Sequence, residues 1–245
     1  MSILEELYEE LGPSPGEDPV AADVEYMLAF GYWVHGEEDK AMALAQHGYE
    51  THEEPFGKGS RARLIGMCHL TQGHVDEGIR FFEEALELME GADPLASSTT
   101  GHTLDLAALY RDKERWAEVA TLLEKVLTGY RVGKISATVD NYDVFQVRWS
   151  LSIAYWHEKR FEDAREQLAK FRGYEPLFSS HPFLQQSAGQ AAAIVNYMDE
   201  NPEDIAAGDV SLEDIVGVVR DDWRYQGLMY KGSLGGRGWG SASAR

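Results

Sequence analysis

Between Val147 and Pro176 the chain reads VRWSLSIAYWHEKRFEDAREQLAKFRGYEP, and its apolar positions fall on two helical faces. Leu151 and Tyr155 stand four apart in a first segment; Ala164, Leu168 and Phe171 share one face of a second. Residues three and four apart are neighbours on a helix surface, so the spacing predicts two amphipathic helices joined by a tight basic turn and stopped at Pro176. The small Ala164 marks the place where two helices cross closely.

The same pattern occurs three more times. Residues 104–127 place Leu106 and Tyr110 on a first helix and Val119, Leu123 and Val126 on a second. Residues 62–94 carry Ile65, Gly66 and His69, then Gly73 at the turn, then Gly78, Phe82 and Ala85, with Pro94 trailing. The earliest copy, about 23–49, has Leu28, Ala29 and Tyr32, the turn residue Gly36, then Ala41, Ala45 and Gly48. In every copy the first-helix aromatic or His and the second-helix small residue are nine apart. The equivalent residues Ala41, Gly78, Val119 and Ala164 are separated by 37, 41 and 45 residues, the additional length falling in 50–60, 91–101 and 129–143.

Outside the copies, residues 2–11 predict a short helix with Ile3, Leu4, Leu7, Tyr8 and Leu11 on one side, and GPSPGEDP at 12–19 breaks it. This arm is expected to fold back over an end of the core or to dock on another molecule. Beyond Pro176, helices are expected at 183–199 and 211–222, the second with Ser211 as N-cap and Glu213 and Asp214 in its first turn. A stack of repeats leaves an apolar end, and such helices would cap it. The Gly/Ser-rich stretch 232–245 is expected to be a disordered tail whose one odd feature is Trp239. The organisation is thus an arm over 1–19, a repeat region over 20–231 and the tail. Its copies span about 22–50, 59–94, 100–130 and 145–176.

This pattern resembles the tetratricopeptide repeat (TPR) family, a pair of helices over about 34 residues. The resemblance covers roughly residues 22–176, and the stretch Leu106–Val126 looks most like the longer repeats of kinesin-light-chain-type proteins and bacterial relatives. No copy has the signature's leading Trp, and Ala45 takes the place of the large second-helix residue in the first copy. The resemblance implies an all-α superhelix of antiparallel helix pairs with capping C-terminal helices, and a concave face lined by first helices. Carried over by position, that face presents Tyr26, Phe30 and Trp33 from the first copy, and Arg63, Met67 and Leu70 from the second. Leu104 and Arg111 follow from the third, and Trp149, Ile153, Trp156 and His157 from the fourth. Large aromatics and Arg dominate interface energetics, which makes this face the candidate partner site. The competing reading is that long loops or the C-terminal helices fill the groove and bury these rings as core. Family members that bind acidic chaperone tails clamp a carboxylate with Lys and Asn. The matching positions here hold Tyr26, Phe30, Leu104 and Ala108, so that clamp is missing.

Composition narrows the function classes. Hydrophobic content of 44% and charged content of 26% over 245 residues are ordinary for a globular protein, and no long uncharged apolar run suggests a membrane span. The first residues are acidic where a secretory signal needs basic ones, and the single Cys68 reads as a buried structural thiol, so a cytoplasmic location is expected. The net charge of −20 is uneven: residues 1–54 hold 14 acidic residues and one basic, whereas 116–181 hold nine of each. Nucleic acid is repelled by such a chain, since Arg and Lys form no dense stripe. The acidic end either serves solubility or attracts a basic partner.

Candidate chemistry is sparse. His47 and His52, and His69 and His74, are five apart, whereas ligands on one helical face need spacings of three or four, as in HExxH. His69 is expected to face the core. The chain has no GxGxxG or GxxxxGK[ST] phosphate loop and no GxSxG elbow. No metal, cofactor or catalytic residue is therefore expected. The function expected is a non-enzymatic scaffold that binds an apolar peptide or protein segment, with basic flanks to meet the acidic first unit. The alternatives are a ligand- or peptide-responsive regulator and an enzyme with a cryptic site.

Overall fold

In a computed structural model, residues 3–12, 18–93, 97–131, 142–171, 182–217 and 219 are described, and no strand occurs among them. A short α1 (Ile3–Leu11) precedes four helix pairs. These are α2 (Pro19–His35) with α3 (Glu38–Thr51), α4 (Pro55–Thr71) with α5 (Val75–Ala92), α6 (Ser97–Asp112) with α7 (Trp116–Arg131), and α8 (Tyr142–His157) with α9 (Phe161–Ala169). Then come α10 (Pro182–Glu200), α11 (Pro202–Ala207) and α12 (Leu212–Val216). The described residues divide into two compact units, one running from α1 to Leu106 within α6, the other from Ala107 to the end of the described chain.

Helix starts follow local chemistry. The Asp18 carboxylate accepts from the Val20 N–H at 2.9 Å ahead of Pro19, and Glu54 accepts from Phe56 and Gly57 ahead of Pro55. Both satisfy N–H groups that a first turn leaves orphaned, at a position where proline lacks one anyway. Ser211 caps α12 reciprocally with Asp214.

The turns inside the four pairs share one backbone motif. Gly36 (φ 81°), Gly73 (φ 85°), Glu114 (φ 57°) and Lys159 (φ 57°) are all left-handed. In each turn the next N–H reaches the carbonyl five residues back: Glu37 to Tyr32, His74 to His69, Arg115 to Tyr110 and Arg160 to Tyr155, at 2.8 or 2.9 Å. This is the Schellman closure of a helix C-terminus. The four left-handed residues are spaced by 37, 41 and 45, the same intervals that separate the small second-helix residues.

Each crossing is close where a small residue stands. Ala41, Val119 and Ala164 are fully buried. A Cβ on Gly78 would lie 2.6 Å from Leu70 Cγ, and one on Gly66 would lie 3.0 Å from the Gly78 carbonyl, so α4 and α5 touch nearly backbone to backbone. The arm lies against α2: the Tyr8 hydroxyl donates to Glu25 at 3.2 Å, and the Tyr32 hydroxyl donates to Glu5 at 2.8 Å. In the other unit Tyr155 donates to Glu124 of α7 at 2.7 Å. Tyr32 and Tyr155 hold the same place in their copies, so α1 stands to α2 as α7 stands to α8.

Three expectations need correction. The last helix ends at Val216 rather than 222, because Gly217 takes φ 71°. α9 ends at Ala169 and continues only as a 3-10 turn through Phe171. His69 is half-buried rather than a core residue, its ring stacked 5.4 Å from that of Phe81. Pro176, residues 13–17 of the linker, and the tail 232–245 with Trp239 lie outside the described residues.

Candidate interaction site

On α2, three sides are occupied. Glu25 and Tyr32 meet α1, and Glu25 also lies 2.9 Å from His47 Nδ1 of α3. Toward α4, the buried Arg61 donates to the Ala22 carbonyl at 2.7 Å and sits 5.6 Å from the centre of the Tyr26 ring. Gly48 leaves the room for this polar node, since a Cβ there would lie 2.5 Å from the Glu25 carboxylate and 2.7 Å from Arg61 Nε. Burial lowers the Arg61 pKa, with the neighbouring Glu25 acting against it, and burial first and Glu25 second push the Tyr8 phenol up to about 12.

The fourth side of α2 is open. Val20, Asp23, Met27, Phe30 and Val34 recur at helical spacing, about half a turn from Glu25 and Tyr32. Val20 is 60% exposed and Met27 55%; Phe30 and Val34 are half-buried. Asp23 is exposed at the same edge. The face expected from the repeat register was Tyr26, Phe30 and Trp33. Of these, Trp33 turns inward and is buried, with the Phe30 ring 5.7 Å away, while Tyr26 is half-buried and hydrogen-bonded to Arg63. Arg63 itself is tied to Asp105 by bonds of 3.0 and 2.6 Å from Nε and Nη2. Met67 and Leu70 are buried and Leu104 is half-buried.

In the unit from Ala107 onward the expected face is almost entirely interior. Trp149 is 2% exposed and its ring packs at a tilt against that of Phe171; Ile153 and Arg111 are also buried, the latter with its guanidinium 3.3 Å from Asp112. Trp156 is 4% exposed: its indole N–H donates to the Val210 carbonyl at 3.0 Å, and its ring meets Phe161 edge to face. The connection between α11 and α12 therefore lies on the end of α8. His157 alone of this set is exposed, and its ring stacks on Trp116.

Val20, Met27 and Trp116 were not among the residues expected. The first two are large apolar side chains at the surface, but α2 is apolar nearly all round, so its sequence carries no periodic mark of the outward side. Trp116 is distant in sequence from the ring it stacks on. No three His, Cys, Asp or Glu side chains among the described residues gather closely enough to hold a metal ion, and Cys68 is buried. No helix among them is long and apolar enough to cross a membrane.

No family model matches the sequence, and no curated protein matches it. Among solved structures the chain is similar to the nearly identical TPR-like repeats of a kinesin light chain candidate from Podosopora anserina. The TM-score is 0.58 at 17% identity, covering 81% of this chain and 96% of that one. A single-substitution variant of the same protein gives 0.56 at 17% identity, covering 75% and 92%. The fold is all-α and TPR-like.

Proposed function

We propose that the protein is a non-catalytic interaction module that holds a peptide or protein segment against the open side of α2. Val20, Met27, Phe30 and Val34 give that side an apolar strip, and Tyr26 and Arg63 form its border toward α4. The observation that carries this reading is the exposure of Val20 and Met27, two large apolar side chains on one helical stripe where solvent contact is costly. The 14 acidic residues of positions 1–54 against one basic give the partner its second requirement, basic residues beside its apolar ones. Trp149, Ile153 and Trp156 belong on this reading to the packing of their unit, and Met67 to that of the other.

The test is site-specific photocrosslinking from position 27, using a photoreactive methionine analogue, with exposed Ala169 as the control position. A partner captured from position 27 and not from 169, and lost when Val20→Asp and Val34→Asp accompany the crosslinker at unchanged helix content, supports the reading. Capture that survives the double substitution at wild-type affinity rejects it.

A further inference from the structure

Trp116 opens α7 and His157 closes α8, and their rings stack with centroids 3.9 Å apart and planes 3° from parallel. His157 is exposed and Trp116 half-buried as whole residues, and one face of the imidazole is covered by the indole. Three carboxylates act on the imidazole from three separate elements: Glu213 from α12, Glu114 from the turn before α7, and Glu158 from the turn after α8. All three are exposed, and none of them is paired with a described Lys or Arg. They do not converge as metal ligands would.

The same unit twice shows what such a setting accommodates. Arg115 lies 4.0 Å from the centre of the Tyr110 ring and bonds Glu118 at 2.8 Å. Arg160 lies 4.2 Å from the centre of the Tyr155 ring and bonds Asp163 at 2.8 Å and Glu124 at 3.2 Å. In both, a guanidinium covers an aromatic face while its N–H fork reaches carboxylates at the rim. At Trp116 and His157 the aromatic surface and the carboxylates are present, and the chain supplies no guanidinium of its own among the described residues.

We propose that the stacked Trp116–His157 pair, with Glu114, Glu158 and Glu213 near it, is a binding site for an arginine side chain of a partner protein. A planar, weakly hydrated guanidinium can lie on a ring and still donate sideways to several carboxylates, which a compact ammonium does less well. Burial lowers the proton affinity of His157 more than the three carboxylates raise it, so near neutral pH the ring is uncharged and does not repel a cation. The site lies in a different unit from the open side of α2 and does not depend on the reading given for that side.

The test titrates the full-length, 15N-labelled protein at low salt with Ac-Gly-Ser-Arg-Ser-Gly-NH2 and with its lysine and citrulline counterparts. The indole N–H signals are followed, that of Trp116 being identified by its loss in W116F. The arginine peptide is expected to shift the Trp116 indole and to bind about fivefold more tightly than the lysine peptide, with citrulline inert. The surface variant E114Q/E158Q/E213Q, which removes no packing, is expected to weaken the arginine peptide about tenfold. No binding, equal binding of lysine or citrulline, a shift confined to other indoles, or full affinity in the triple variant would each overturn the assignment. All of these outcomes leave crosslinking from position 27 unaffected.

Discussion

α2 and α8 are the first helices of their pairs and share a register fixed by the same turn, yet water reaches them differently. On α2 the stripe through Met27, Phe30 and Val34 is open or half-buried, whereas on α8 the corresponding Ser150 and Ile153 are buried and only His157 is exposed. Register does not cause the difference; later chain does. The residues after α10 return to α8, where Val210 accepts the Trp156 indole proton. Arg148, buried on α8, donates from Nη1 to Gln167 of α9 at 2.6 Å. A repeat position therefore says which way a residue points within its pair, while its neighbours in space decide whether it serves packing or recognition.

The comparison breaks most decisively at its two extremes. Trp149→Ala should destabilise by about 3–5 kcal/mol, the range for emptying a large buried aromatic site. Met27→Ala should change stability by no more than about 0.5 kcal/mol, as at an ordinary surface position. Urea denaturation measures both. A Trp149→Ala cost under about 1 kcal/mol would show that α8 is no more interior than α2, since one methylene of core usually matters that much.

A smaller effect tests the helix crossing within the first unit. Gly78→Ala places a Cβ 2.6 Å from Leu70 Cγ and 3.2 Å from the Gly66 carbonyl oxygen, and should cost about 1–3 kcal/mol through overpacking. Gly91 lies on the same helix with nothing within 4 Å of an added Cβ, so Gly91→Ala should stabilise by roughly 0.5 kcal/mol. Thermal melts that rank the two in the opposite order would mean that α5 is rotated from its described register.

Much of this fold was legible from residue types alone. Four nine-residue spacings from aromatic or His to small residue, with Gly36 and Gly73 at two of the turns, carry the same intervals as the four left-handed turns. The site was less legible, for a geometric reason. One residue along a helix is about 100° around it, so a family position slightly misread exchanges inside for outside. Trp33 and Met27 were exchanged in this way on α2, where nearly every residue is apolar and no polar face corrects the reading. Trp156 could not be placed without knowing that Val210, far along the chain, returns to it. Trp116, His157 and Glu213 likewise belong to three elements whose meeting no local pattern announces.

Acid should reach both units. Burial is the first cause lowering the pKa of His52 and His69 in one unit and of His157 in the other, ahead of the neighbouring charges. A His with a lowered folded pKa binds fewer protons folded than unfolded, so its contribution is fully present above the unfolded value of about 6.5 and is lost as pH falls from there through the folded value. Melting temperature should therefore drop as pH is lowered below about 6.5. His69→Phe, which keeps a ring against Phe81 and removes the proton site facing His74, Glu77 and Arg80, should flatten part of that drop. An unchanged pH slope in the variant would remove His69 from the account.

The smallest effects distinguish the turns themselves. Gly36 and Gly73 adopt φ > 0 without a Cβ, while Glu114 and Lys159 hold the same conformation with one, at an intrinsic cost of about 1 kcal/mol each. Gly73→Ala should thus destabilise by about 1 kcal/mol. Glu114→Gly should relieve strain but return entropy to the unfolded chain, for a net gain of about 0.5 kcal/mol. Lys159→Gly should gain less, because the Lys159 side chain runs 3.5–3.8 Å from where a Cβ on Gly208 would sit and loses that packing when truncated. Thermal melts in which Lys159→Gly gains more than Glu114→Gly would mean that contact with Gly208 contributes nothing. The left-handed turn of the last pair would then be held by the Arg160–Tyr155 stack alone.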